Sequence, residues 1–179
     1  GVAGSGKSSL VTELMRQHPD RPFTVMEQGA LSVHSRSTPA TYLGIADALR
    51  DLFAAATGRG KGLFSFNSVG ACPECRGKGW VETNMAFLGT VSHLCEACGG
   101  RRFSPEACAP RYRDRSIAEI YDLDVDRALE FFLREASVAE PLRRLQEVGL
   151  GYLRLNQALP TLSGGERQRL KLADCLGGR

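Results

Sequence analysis

Three stretches of this chain carry residues whose types and spacing can do chemistry. The first is Gly1-Val2-Ala3-Gly4-Ser5-Gly6-Lys7-Ser8, with Ser9 behind it. Glycines at these intervals let the backbone bend until several N–H groups point at one phosphate chain, and the helix start that follows favours negative charge. Lys7 is then placed to neutralise the outer phosphates of a nucleoside triphosphate and the Ser8 hydroxyl to ligate its magnesium, while Gly1, Gly4, Ser5, Gly6 and Ser9 complete the cradle. The competing reading is an ordinary glycine–serine loop, yet the residues after it have the helical pattern that the motif demands.

The second stretch holds two Cys-x-x-Cys pairs, Cys72/Cys75 and Cys95/Cys98. Four thiolates are the usual closed tetrahedral set for structural zinc, against free or redox-active thiols as the alternative. His93 is near in sequence, but four sulfurs suffice and a surface histidine is expected there. The third stretch is Leu162-Ser163-Gly164-Gly165-Glu166-Arg167-Gln168-Arg169-Leu170. Ser163 and Glu166 have capping-box spacing, and a helix whose first turn has almost no side chains is a bare anion site, suited to a γ-phosphate held elsewhere.

These residues need elements to position them. Residues 7–16 read as the helix opened by the phosphate loop, with Leu10, Val11 and Leu14 facing inward. Phe23-Thr24-Val25-Met26 is β-prone and runs into Glu27-Gln28-Gly29. Thr38 caps a helix with Pro39 at its first position, and Ile45, Leu49, Leu52 and Phe53 follow at helical spacing. Gly58-Arg59-Gly60-Lys61-Gly62 marks a flexible join. Further on, Ser116/Glu119 and Ser137/Glu140 both have capping-box spacing. Residues 125–135 carry Val125, Leu129, Phe132 and Leu133 on one helical face, and a later helix ends near Gly149. Trp80-Val81-Glu82-Thr83 is a short β-prone run, with Trp80 expected to cover the zinc knuckle as local core. Cys108 and Cys175 have no partner pattern and read as inert small residues.

Composition sets the bounds. With 42% hydrophobic and 24% charged residues the chain has ordinary globular make-up, and enough length for a real core. A formal charge of +3 is too small to argue for nucleic acid by itself. Arg76, Lys78, Arg101, Arg102, Arg111, Arg113 and Arg115 could present a basic face to DNA phosphates, but Glu74, Glu82, Glu96, Glu106 and Asp114 dilute them, and a mixed solvated surface reads equally well. There is no signal peptide and no apolar run near the ~18 residues of a membrane span. Paired cysteines without those features read as metal ligands in a reducing cytoplasm. The phosphate loop starts at residue 1, and no apolar strand with acidic residues follows the last helix, so the expectation is a fragment of a longer protein.

The order of phosphate loop, cysteine module and glycine-rich helix start is more specific than any one of them. Leu162–Glu166 resembles the signature of ATP-binding-cassette (ABC) ATPases, and Gln28 resembles that family's Q-loop glutamine. The implied fold class is α/β, a partial ABC-type P-loop ATPase domain with a helical signature subdomain and an inserted zinc module. Its parts would be 1–62 for the N-terminal core, 63–115 for the zinc-binding insertion and 116–179 for the signature region, truncated before the magnesium-site strand. Over nearly its whole length the chain resembles the UvrA family of excinuclease proteins, in its second nucleotide-binding half. The residues that carry this are Gly1–Leu10, Gln28, the run from Arg36 to Tyr42, Phe64-Ser65-Phe66-Asn67, the cysteine module and Gly149–Ala173.

That resemblance implies a DNA-binding ATPase of the cytoplasm, using ATP, Mg2+ and Zn2+ to couple hydrolysis to damage recognition in nucleotide excision repair. Its partners would be double-stranded DNA, a UvrB-like repair protein and a second copy of itself, with no membrane. Lys7 and Gln28 would carry catalysis, Ser8 and Gln28 the magnesium, and Ser163, Gly164 and Gly165 would close the site of the other half. Several positions depart from the repair pattern. Gly29-Ala30-Leu31 follows Gln28 where Ser-Pro-Ile is common, Thr38 replaces a frequent Asn, and Ser68-Val69-Gly70-Ala71 stands where Gly-Gly-Arg is typical. Asn67–Pro73 and Gly165–Leu170 look more like shorter UvrA paralogues, some linked to drug self-resistance, for which displacement of intercalators from DNA is one route. In another class, Cys72-x-x-Cys75-x-Gly77-x-Gly79 resembles the protein-binding zinc repeats of DnaJ-type chaperones, though Cys98-Gly99-Gly100-Arg101-Arg102 departs from them. Membrane-transport cassettes lack such a module. The isolated chain is expected to bind zinc and to hydrolyse ATP negligibly.

Overall fold

The computed structural model describes residues 7–21, 23, 34, 36–85 and 89–178. Helices α1 (Lys7–Gln17), α2 (Pro39–Tyr42) and α3 (Ile45–Thr57) come first, followed by a 3-10 turn at Lys61–Phe64. Strands β1 (Trp80–Met85) and β2 (Gly89–Leu94) form an antiparallel ribbon, and β3 (Arg111–Tyr112) and β4 (Arg115–Ser116) a small hairpin, with α4 (Pro105–Cys108) between the two. The remaining helices are α5 (Ile117–Tyr121), α6 (Val125–Phe131), α7 (Ala136–Glu147) and α8 (Gly164–Cys175). Among the described residues no helix is long and apolar enough to cross a membrane.

The body is built around α3 and α7. Ile45, Leu49 and Phe53 recur every four residues on α3 and are fully buried, as are Val138, Leu142 and Leu145 on α7. These stripes face each other, and α7 also takes α6 and α8 against its flanks. Each such side chain removed from water contributes roughly 1.5–3 kcal/mol. Phe66, Phe103 and Tyr121 form a ring cluster with centroids 5.3–5.6 Å apart. Phe66 and Phe103 flank the cysteine segment, so the feet of that segment are anchored in the helical core. A bridge between Ala71 and Phe103, with Cys72 N–H donating to Arg102 O at 2.8 Å and Ser104 N–H to Gly70 O at 2.9 Å, clips the two feet together.

Helix starts follow their caps. Thr38 and Thr41 form a reciprocal box ahead of Pro39, and Ser116 and Glu119 do the same for α5. The single helix expected after Thr38 is two, because Gly44 adopts a left-handed φ of 75° and ends the first. Gly58, with φ 67°, closes α3 through its N–H to Ala54 O. The box expected at Ser137/Glu140 does not form. Helix α7 begins two residues earlier, at Ala136, because Glu135 O accepts from Val138 and Ala139 N–H. The Glu135 carboxylate is itself taken by Tyr112 OH and Arg113. Helix α6 likewise ends at Phe131, which takes the next two residues out of helical phase. Phe132 turns inward to stack on Tyr112, whereas Leu133 is 63% exposed rather than on the buried face. Leu10, Val11 and Leu14 are 72%, 48% and 48% exposed, so the apolar side of α1 is open. Helical periodicity reports that a face is apolar, not what covers it. The β-prone run 23–26 lies mostly outside the described residues.

Candidate metal centre

Each Cys-x-x-Cys pair sits on a tight turn. After Cys75 the backbone passes through Arg76 (φ 52°) and Gly77 (φ 78°), and after Cys98 through Gly99 (φ 57°) and Gly100 (φ 83°). Lys78 N–H returns to Cys75 O at 3.1 Å, and Arg101 N–H to Cys98 O at 3.0 Å. Gly77 is required twice over, by its positive φ and because a Cβ there would stand 1.8 Å from Phe66 O. The ribbon starts one turn later, pairing Trp80 with Leu94 and so bringing the second cysteine pair back over the first.

The four sulfurs meet. All lie within 4.8 Å of one another. Cys72 Sγ and Cys95 Sγ are 3.9 Å apart, and Cys75 Sγ and Cys98 Sγ 3.7 Å. A tetrahedral metal with sulfur bonds of about 2.3 Å needs sulfur–sulfur edges of roughly 3.8 Å, whereas a disulfide needs about 2.05 Å. The donor set therefore fits a closed tetrathiolate metal, and none of the six cysteines is joined in a disulfide. Cys72, Cys75 and Cys95 are buried and Cys98 partly so; Val81 packs against them. Trp80, expected in that role, has Arg102 over its ring instead, 5.7 Å from the centroid. His93 is exposed on β2 and outside the sulfur cluster.

Backbone amides are aimed at the sulfurs. Gly79 N–H donates to Cys75 Sγ at 3.2 Å. Burial pushes the Cys98 thiol up to about 12, opposed by the Arg102 N–H and reinforced by the Cys95 and Cys75 thiols. Burial also raises Cys72, against the N–H groups of Cys75 and Glu74. At Cys95 burial is outweighed by the Cys98 N–H and the neighbouring thiols, and its value falls. Four thiolates this close together repel one another, and a bound cation would offset that repulsion.

Arg102 is set apart from the other arginines around the cysteines by its burial. Only 3% exposed, it donates from Nη1 to Arg36 O at 3.3 Å and from Nη2 to Asn156 O at 3.0 Å. Its guanidinium also lies over the Phe66 ring, 5.3 Å from the centroid. Nothing in the linear order Gly99-Gly100-Arg101-Arg102 separates it from Arg101, which is exposed and pairs with Asp122.

The glycine-rich stretch opens α8 as expected. Ser163 is the N-cap, its hydroxyl accepting from Glu166 N–H at 3.3 Å, while Ser163 N–H and Oγ–H donate to Glu166 Oε2 at 2.7 and 2.8 Å. Tyr152 OH donates to Glu166 Oε1 at 2.7 Å and, with the Ser163 contacts, holds that carboxyl below the usual carboxylate range. Gly164 and Gly165 face open space, with nothing within 4 Å of a Cβ at either position. Lys7, Ser8 and Ser9 form the first turn of α1, with Ser9 exposed. Gly1, Gly4, Ser5, Gly6 and Gln28 lie outside the described residues. The sulfurs are thus brought together, while the two stretches expected to bind nucleotide lead into separate helices, α1 and α8.

Comparison with known proteins agrees along the whole chain. No protein-family model matches it. It is 39% identical over 207 aligned positions to UvrABC system protein A of Listeria monocytogenes, covering 100% of this chain and 22% of that protein. The protein of that name from Thermus thermophilus is 40% identical, over 99% of this chain and 22% of its own length. The crystal structure of UvrA2 from Deinococcus radiodurans superposes with a TM-score of 0.78 at 38% identity, covering 97% of this chain and 24% of that one. The chain therefore spans under a quarter of the length of these relatives.

Proposed function

With this chain placed in the UvrABC system protein A family along its whole length, we propose that it serves as the zinc-bearing, signature-carrying part of an ATP-driven protein of nucleotide excision repair. The observation that carries this reading is the sulfur tetrad, set between a phosphate-loop helix and a helix opened by Ser163-Gly164-Gly165. The relatives favour neither a drug-resistance role nor a chaperone-type zinc repeat.

In this reading the backbone amides and Lys7 hold the phosphates of one ATP, Ser8 takes its Mg2+, and Gln28 orients the attacking water. The N–H groups of Gly164 and Gly165, with the Ser163 hydroxyl, meet the γ-phosphate of a second ATP held by another nucleotide-binding unit. Two open glycines at a capped helix start suit that approach, because no side chain stands between the anion and the amides. Zinc, held by Cys72, Cys75, Cys95 and Cys98, supplies cross-linking rather than catalysis, since four sulfurs leave no open position. The ribbon would then be a fixed projection toward double-stranded DNA, with a UvrB-like protein and a second copy as partners. Three parts, 1–62, 63–115 and 116–179, are proposed as core, insertion and signature region, although Phe64, Phe66, Phe103 and Ala107 share one buried cluster with the helices.

The test uses the full-length protein that contains this chain. Its affinity for damaged duplex DNA should change on adding ATP, and Lys7→Ala should abolish that change. DNA affinity indifferent to ATP in the parent protein would refute the proposal.

A further inference from the structure

Two surface side chains tie the start of α8 to the loop that follows α7. Tyr152 is 57% exposed, yet its hydroxyl is not left to water. It donates to Glu166 Oε1 at 2.7 Å and accepts from Arg169 Nη2 at 3.4 Å. Arg169 Nη1 donates in turn to Gly149 O at 2.9 Å. The other carboxylate oxygen, Glu166 Oε2, accepts from Ser163 N–H and Oγ–H. Glu166 therefore faces two ways, with one oxygen on the cap of its own helix and the other on the loop. The hydrogen bond to Glu166 pushes the Tyr152 hydroxyl above its ordinary value, so it stays a donor.

The loop is a firm support. Gly149 leaves α7 with φ 74°, its N–H donating to Gln146 O at 2.9 Å. Gly151 O accepts from Asp126 N–H at 3.0 Å and Leu153 O from Val125 N–H at 2.9 Å, which pins the loop to the start of α6. Gln146 Nε2 donates to Asp126 Oδ1 at 2.8 Å across the same junction, and Leu150 and Leu153 are fully buried. The turn that opens α8 is the opposite case. Gly164 and Gly165 bring no side chain to hold it, and glycine gives up more conformational freedom on ordering than any other residue. Its orientation therefore depends on what Ser163 and Glu166 grip.

We propose that Tyr152, backed by Arg169, is a positioning residue for the glycine-rich turn: through Glu166 it sets the angle at which the Gly164 and Gly165 amides meet the γ-phosphate of the opposing ATP. The inference rests on the nucleotide reading of that stretch and deepens it. Tyr152 acts through Glu166 and not on the nucleotide.

The experiment measures ATP turnover and ADP affinity of the full-length protein that contains this chain, comparing the parent with Tyr152→Phe and Gly165→Asp. Phenylalanine keeps the ring and removes only the hydroxyl. Aspartate puts a negative charge where the phosphate would approach, at a helix position that tolerates it. The share of turnover that Gly165→Asp removes defines what passes through this turn. That share should fall roughly 10-fold in Tyr152→Phe, in keeping with the loss of one hydrogen bond to a charged group. ADP affinity should stay at the parent value, because ADP has no γ-phosphate for the turn to meet. Parental turnover in Tyr152→Phe, or an equal loss of ADP binding and turnover, would overturn the inference and leave Tyr152 a structural strut. Turnover that survives Gly165→Asp intact would refute the nucleotide reading itself, and this inference with it.

Discussion

The cysteine ribbon and the helical body hold themselves together by different physics. In the body, Leu43, Leu49, Phe53, Leu142 and Leu145 are wholly withdrawn from water and interlock across helices. On the ribbon every residue of β2 is exposed, and among the described residues there the only cluster is three buried cysteines with Val81 and Cys98 beside them. A two-stranded ribbon of that kind is marginal in water. A metal held by the four sulfurs would supply what the ribbon's own contacts do not, whereas the body draws chiefly on buried apolar area. The difference teaches that one short chain can carry a rigid projection without extending its core, provided the base of the projection is cross-linked.

Metal removal should break this comparison most visibly. Structural zinc sites in small peptides are worth about 10–16 kcal/mol near neutral pH, far beyond what the ribbon's few contacts supply. Stripping the metal with a chelator should abolish hydrogen-exchange protection in β1 and β2 while α3 and α7 keep theirs. Loss spread evenly over both regions would show that they are one cooperative unit. The complementary change is Leu142→Ala, which opens a cavity in α7 and should cost about 2–5 kcal/mol in chemical denaturation. Zinc content per chain should stay at the parent value, and a drop would contradict the separation.

Gly77→Ala tests the seam between the two regions. Its Cβ would meet Phe66 O in a left-handed backbone, and strain of that kind costs on the order of 1–3 kcal/mol. Because Phe66 belongs to the body and Gly77 to the turn after Cys75, both the melting temperature and the zinc affinity should fall. A fall in only one would move the boundary to the side that is spared.

What the linear sequence revealed follows the range of each interaction. Cysteine spacing, the cap at Thr38 and the boxes at Ser116 and Ser163 depend on residues a few positions apart, and all appear in the structure. Ser137 had the same spacing and failed, because Glu135 O, positioned by the turn from Phe132, starts the helix first. Leu133 failed because helical phase was carried past the real end of α6. Arg102 was illegible since its meaning lies in Arg36 and Asn156, 66 and 54 residues away. The ribbon's foothold was hidden for the same reason, as Phe66, Phe103 and Tyr121 come together only in the fold.

The smallest expected effect distinguishes the two helix caps, one at the body and one at the open glycine-rich start. Ser116 is buried and Ser163 exposed, yet both boxes hold a glutamate below the usual carboxylate range. At Glu119 the leading cause is the Ser116 N–H, followed by its hydroxyl and by Arg111 and Arg115. At Glu166 it is Tyr152, followed by the Ser163 N–H and hydroxyl. A folded value below the unfolded one, near 4.3 for glutamate, means stabilisation that is complete above that value and lost as pH falls through the folded one. Ser116→Ala should therefore cost about 1 kcal/mol at neutral pH. Glu119→Gln should lower the melting temperature at pH 7, with the gap to the parent closing as acid protonates the parent's own carboxyl. Glu166→Gln should follow the same pH course with a smaller amplitude, since its carboxylate stands in open solvent. Removing Tyr152 OH by Tyr152→Phe should shift that course toward higher pH, because the donor that favours the charged form is gone. A Glu119→Gln gap that widens in acid would reverse the sign of the linkage and remove the box as its source.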